Sequence, residues 1–203
     1  MPKITKLQPQ VKRDGYYNIF VDDAFFCSIS ELQLSLLSLS VGQDLSEDQK
    51  LELLDNSATI KTYNRALYYL KYGPRSEKQM KNYLSQKGYE DKYIDRAITT
   101  LIKDGYINDT VLAQSFVDDR QLFRPRSLSQ LRVELIKKGI DRDIIDQTLM
   151  GIDSDSQLES IKAVAAKKYK QSRYKDLEKL TQYLQRQGFK YSDIKTALSE
   201  IGD

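Results

Sequence analysis

The strongest constraint on this chain is a pattern that returns about every fifty residues, the period of stacked supersecondary units rather than of one globule. Gly88, Gly139 and Gly188 stand 51 and 49 residues apart. Four residues before them lie Leu84, Leu135 and Leu184, and eight before lie Met80, Leu131 and Leu180. That i, i+4 seam is the apolar stripe of an amphipathic helix. Tyr89, Ile140 and Phe189 follow the glycines directly. Ile94, Ile145 and Ile194 come at the sixth place, Ile98, Leu149 and Leu198 at the tenth, and Leu101, Ile152 and Ile201 at the thirteenth. Each glycine therefore parts two helices, at a left-handed stop that suits a residue without a Cβ. Twelve residues upstream, Ser76, Ser127 and Asp176 are helix N-caps, and Gln79 and Gln130 are placed to complete capping boxes.

Segments 59–72, 110–123 and 156–170 supply a first helix to each unit, through Ala66 and Leu70, Leu112 and Phe116, and Ile161 and Val164. Before them, Ile4 to Val11, Tyr16 to Val21 and Phe25 to Ile29 read as three short strands divided by Asp14-Gly15 and Asp22-Asp23 turns. Pro9 assigns the first to an edge, and Phe25, Cys27 and Ile29 should share a face. Ser30 caps a short helix and Ser46 with Gln49 opens another. The expected fold is mainly α: three tandem three-helix repeats forming an elongated, curved array, preceded by a small strand-rich N-terminal module. The expected divisions are 1–57, 58–109, 110–155 and 156–203. Nine helices at ordinary packing distances would cover at most roughly 70 to 90 Å, a scale suited to an extended partner.

Composition then removes whole classes of chemistry. The 203 residues include no histidine and one cysteine, Cys27. Histidine-based metal sites, Ser-His-Asp and Cys-His triads and an intramolecular disulfide framework are thereby excluded. No phosphate-cradling glycine loop or nucleophile elbow occurs, and Asp118-Asp119, Asp141 with Asp143, and Asp153 with Asp155 read as caps and dipole partners. No catalytic residue, cofactor or metal is expected. The opening MPKITKLQPQ lacks the apolar core of a signal peptide, and no stretch matches a membrane span. A cytoplasmic protein with no membrane partner, acting as a monomer, is expected.

Charge is uneven. Residues 1–60 carry 5 basic and 9 acidic groups, residues 61–151 carry 17 and 12, and the remainder 10 and 8. The candidate contact residues are Lys71, Arg75, Lys78 and Lys81 in the first unit, and Arg120, Arg124, Arg126 and Arg132 in the second. In the third they are Lys167, Lys168, Lys170 and Arg173, with Lys175 beside them. Tyr68, Tyr69, Tyr72, Phe123, Tyr169 and Tyr174 are interleaved with them. Cations with aromatics suit phosphates and bases or an acidic protein surface; the competing reading packs the rings between helices and leaves the cations solvated. Arg75 and Arg126 share one register, where an ion pair or carbonyl contact would fix the turn before a cap. The second unit, with four arginines, is the first choice of contact surface.

The segments ALYYLKYGPRSEKQMKNYLSQKGY and GYINDTVLAQSFVDDRQLFRPRS, followed by ELIKKGI, resemble the RecX family of RecA regulators. The resemblance is carried by Pro74-Arg75-Ser76 ahead of Gly88, by Gly105-Tyr106-Ile107-Asn108-Asp109, and by Leu135 to Ile140, and it is strong over residues 58–152. The third unit has Tyr174-Lys175-Asp176 where the others have Pro-Arg-Ser. The strand-rich N-terminus looks like the extension of longer family members. The resemblance implies a non-enzymatic protein of DNA recombination, repair and the SOS response that binds RecA, usually as its nucleoprotein filament. It implies modulation, typically inhibition, of strand exchange and ATP hydrolysis, with contact to single- or double-stranded DNA left open. Rival readings are a nucleic-acid-binding helical repeat protein that acts without RecA, and a helical scaffold for another protein.

Overall fold

A computed structural model describes residues 1–11 and 13–199. They form two compact units, one of Met1–Gly73 with Lys81–Asp104, the other of Pro74–Met80 with the chain from Gly105 onward.

In the first unit, β1 (Ile4–Pro9), β2 (Tyr16–Val21) and β3 (Ala24–Ser30) make an antiparallel sheet in that order, with β1 at an edge. Alternation turns Ile19, Val21, Cys27 and Ile29 inward onto Ile4, Leu45 and Leu53. Burial pushes the Cys27 thiol up to about 11, which leaves it an unreactive packing group. Phe25 breaks the expected pattern and is 53 % exposed. The cause is a bulge: Ile19 faces Cys27 but Phe20 faces Phe25, so Phe26 is the extra residue on β3. Phe26 turns toward the core and Phe25 sits edge-on to Phe20 instead.

Helix α1 (Glu31–Leu36) starts at a Ser30–Gln33 capping box and α2 (Glu47–Leu70) at a Ser46–Gln49 box. The two helices expected on either side of residue 57 are one. No glycine or proline interrupts residues 47–72, so nothing stops the helix. Leu53 of α2 enters the sheet core, while the same helix packs on β3 and on α4 (Asp91–Lys103).

The repeats follow as α2, α3 (Glu77–Gln86) and α4; α5 (Asp109–Phe123), α6 (Leu128–Lys138) and α7 (Arg142–Met150); and α8 (Ser154–Tyr169), α9 (Leu177–Arg186) and α10 (Tyr191–Ser199). Met80, Leu84, Leu131, Leu135, Leu180 and Leu184 are all buried, as are Ile94, Ile145 and Ile194. Ala97, Thr148 and Ala197, nine residues beyond the glycines, are also buried, where a third helix needs a small residue. Ile201 lies outside the described residues. The three glycines have φ of 81°, 81° and 84°. After each, the next residue's N–H donates to the carbonyl five positions back: Tyr89 to Leu84, Ile140 to Leu135, Phe189 to Leu184.

Within the second unit, successive repeats are joined by one device used twice. The Ser76 hydroxyl accepts from the Gln79 N–H and donates to the carbonyl of Lys138, beside Gly139. The Ser127 hydroxyl accepts from the Gln130 N–H and donates at 2.6 Å to the carbonyl of Gln187, beside Gly188. The start of one second helix thus sits on the end of the next, positive dipole end to negative. A Cβ on Gly139 would lie 2.8 Å from Lys78 Cβ, and one on Gly188 would lie 2.9 Å from Ser127 Oγ. Gly88 has nothing within 4 Å. The capping box expected at Gln130 is incomplete: its amide donates to Gln187 Oε1 at 2.8 Å, spent on the joint rather than on its own cap.

Candidate partner-binding surface

In each repeat the first and second helices meet at one equivalent pair, with the second-helix member five residues before the glycine. In the first repeat it is Tyr69 on Tyr83, stacked at 3.8 Å and 11°. In the second it is Arg120 on Glu134, an ion pair at 2.7 Å. In the third it is Lys168 over Tyr183, at 4.8 Å from the ring centre. One position thus carries a ring stack, an ion pair and a cation–π contact, so the backbone is common and the charge is not.

This arrangement settles what surrounds the arginines of the second repeat. Arg126 also reaches Glu134, at 3.4 Å, so one carboxylate serves two guanidinium groups, and Arg120 additionally covers the Phe116 ring at 4.4 Å. The ion-pair reading of the Arg126 register fits this contact. Arg132 pairs with Asp146, and Lys81 pairs with Asp95 at 3.3 Å in the same register of the first repeat. Both acids lie seven residues after their glycine and both cations seven before. That pairing is legible in the repeat alignment and not in the cations taken by themselves. Of the four arginines, Arg124 stands apart, exposed at the end of α5 and in no carboxylate pair among the described residues.

The other candidates divide similarly. Lys78 packs across Gly139, and Arg75 is half-buried beside the Ser76 cap. Lys71 lies 5.8 Å from the Tyr68 ring, and Arg173 lies 5.9 Å from Tyr174. Lys167, Lys170 and Lys175 are exposed around the end of α8. Tyr68, Tyr72 and Tyr169 are exposed, as is Phe123, whereas Tyr69 and Tyr174 are half-buried. The Tyr68 hydroxyl meets that of Tyr72 at 2.8 Å, and this bond holds the Tyr72 phenol above its usual range. Asp109, in the Gly-Tyr-Ile-Asn-Asp segment, accepts from the Glu77 N–H at 2.9 Å; burial, opposed by that bond, raises its carboxyl above the ordinary range. The neighbouring Asn108 caps α5 and Ile107 is buried. Every member of that segment after Tyr106 thus has a structural task.

The family's own domain definitions fall on the same three helical repeats. The RecX first three-helix domain matches residues 63–101, the second 108–149 and the third 155–198. The chain belongs to the RecX family. A regulatory protein RecX of Clostridioides difficile (strain 630) is 32% identical over 98% of this chain and 95% of its own length. One from Bacillus velezensis (strain DSM 23117 / BGSC 10A6 / LMG 26770 / FZB42) is 33% identical over 98% and 78%. Among solved structures, a crystal structure of regulatory protein RecX superposes with a TM-score of 0.82 at 27% identity, covering 98% of this chain and 100% of that one. RecX from Lactobacillus salivarius superposes at 0.65 and 30% identity over 71% of this chain and 97% of its own. The match over almost the whole chain includes the sheet module as well as the RecX repeats. Among the described residues no helix is long and apolar enough to cross a membrane.

Proposed function

We propose that this protein is a non-enzymatic regulator that binds RecA, in the form of the RecA–DNA filament, and restrains strand exchange and ATP hydrolysis. The observation that carries the reading is the match to all three RecX domains in order, together with near full-length relatives called regulatory proteins. Three repeated units carrying basic side chains suit a partner that is itself repetitive, because equivalent positions can meet equivalent subunits. Arg124, Lys167 and Lys170, exposed and in no carboxylate pair among the described residues, are the cations we assign to that contact. The protein acts as a monomer in the cytoplasm and needs neither cofactor nor metal. The test is to add the purified chain to RecA assembled on single-stranded DNA and to follow strand exchange and ATP hydrolysis. Dose-dependent inhibition with co-sedimentation on the filament is expected. Undiminished RecA activity at saturating protein would overturn the reading, and equal affinity for DNA with and without RecA would favour a RecA-independent nucleic-acid binder.

A further inference from the structure

Internal repetition supplies a control that a single domain lacks: the same interhelix position can be compared with and without a neutralising acid. In the second repeat Glu134 takes up Arg120 and Arg126. In the first repeat the equivalent residue is Tyr83, and Arg65, Lys71 and Lys87 gather on its ring and on that of Tyr68 instead. Arg65 is held 5.6 Å from the Tyr68 ring and 5.5 Å from the Tyr83 ring. Lys71 lies over Tyr68 and Lys87 over Tyr83, each at 5.8 Å. Among the described residues, none of these three cations makes an ion pair.

We propose that the Arg65–Tyr68–Tyr72–Tyr83 cluster of the first repeat is a binding element for single-stranded nucleic acid, taking a base against its exposed tyrosines and the adjoining phosphates on Arg65, Lys71 and Lys87. Two features select this ligand over an acidic peptide. Tyr68 and Tyr72, residues 46 % and 65 % exposed, have rings set at 75° to one another and joined through their hydroxyls, so flat aromatic surface is offered at fixed orientation. Bases use such surface and carboxylate side chains do not. Secondly, Arg65 is half-buried with its guanidinium carbon within 5.6 Å of two ring centres, a setting in which an uncompensated cation attracts a multivalent anion such as a phosphate chain. The element deepens the filament reading by naming the DNA strand as a direct contact, yet it can be tested without RecA.

The experiment measures fluorescence anisotropy of a labelled oligothymidylate with the full chain at low salt, beside an abasic oligonucleotide of equal length that keeps the phosphates. The thymidylate should bind roughly tenfold tighter than the abasic strand. Tyr68→Ser with Tyr72→Ser should erase that preference, and Arg65→Gln should weaken both strands and flatten the salt dependence. Arg132→Gln, at an ion-paired site, should change neither. Equal binding of thymidylate and abasic strands by the parent chain would overturn the proposal. So would a polyglutamate peptide that competes as well as DNA, or tyrosine variants that keep the full preference while folded by circular dichroism. Because RecA is absent, failure here leaves inhibition of the filament to be judged separately.

Discussion

At the scale of single residues, the choice of serine over aspartate at a cap has a consequence beyond its own helix. A hydroxyl accepts from its helix and still has a proton to give, whereas an ionised carboxylate only accepts. Ser76 and Ser127 use both capacities; Asp176 accepts from the Glu178 and Lys179 N–H groups and donates nothing. Ser127→Ala should therefore cost about 2 to 4 kcal/mol, a lost cap plus a joint carbonyl left unpaired, against about 1 kcal/mol for Asp176→Ala, both read from urea midpoints. Asp109 gives a test in pH. Its folded carboxyl sits above its unfolded value, so ionising it costs stability once the pH exceeds the unfolded value, and the full cost is felt above the folded one. Asp109→Asn keeps an acceptor for the Glu77 N–H and removes that cost. The variant should be the more stable at neutral pH, with the gain fading as the pH falls through the carboxylate range; a gain that persists in acid would mean burial is not its source.

Between elements, the glycines that look alike in sequence are not equivalent in packing. Gly88→Ala meets only the strain of a positive φ, about 1 to 2 kcal/mol. Gly139→Ala and Gly188→Ala add contacts at 2.8 and 2.9 Å with atoms of the neighbouring repeat, and should cost visibly more, about 2 to 4 kcal/mol, in the same unfolding assay. Leu135→Ala, in the fully buried seam, should cost about 2 to 5 kcal/mol. Such contrasts explain what was legible beforehand. Helix periodicity, caps and left-handed stops are local and were written in the repeats; the three strands were written ahead of them, in alternation and turn residues. The Phe26 bulge was not, because alternation cannot show where a partner strand slips. The continuity of α2 was signalled only by the absence of a breaker. Ion pairing of Arg120 and Arg126 with Glu134 depends on helices brought together in space and left no trace in the repeats, where Tyr83 and Tyr183 hold that position; Arg132 with Asp146 had one, in the aligned Lys81 and Asp95.

For the whole molecule, the excess of positive charge matters only where it is not already spent inside a repeat. Reversing Arg120, Arg124, Arg126 and Arg132 together would set new carboxylates against Glu134 and Asp146, so lost activity and lost folding would be confounded. Arg124→Glu combined with Lys167→Glu and Lys170→Glu avoids that. These side chains are exposed, and their reversal should alter stability by no more than about 1 kcal/mol each. Across an interface, the same reversals replace attraction with like-charge contact, which costs several times as much. The triple variant should remain helical and unfold cooperatively, yet need at least about tenfold more protein to inhibit RecA-driven strand exchange, with the deficit shrinking as salt screens the repulsion. Lys3→Glu, Lys6→Glu and Arg13→Glu, on the acidic module, are the control and should leave inhibition near the parent level; Lys12 lies outside the described residues and is left unchanged. Equal inhibition by the folded triple variant would take Arg124, Lys167 and Lys170 out of the contact and leave the first repeat, with Arg65 and its tyrosines, as the basic surface facing the filament.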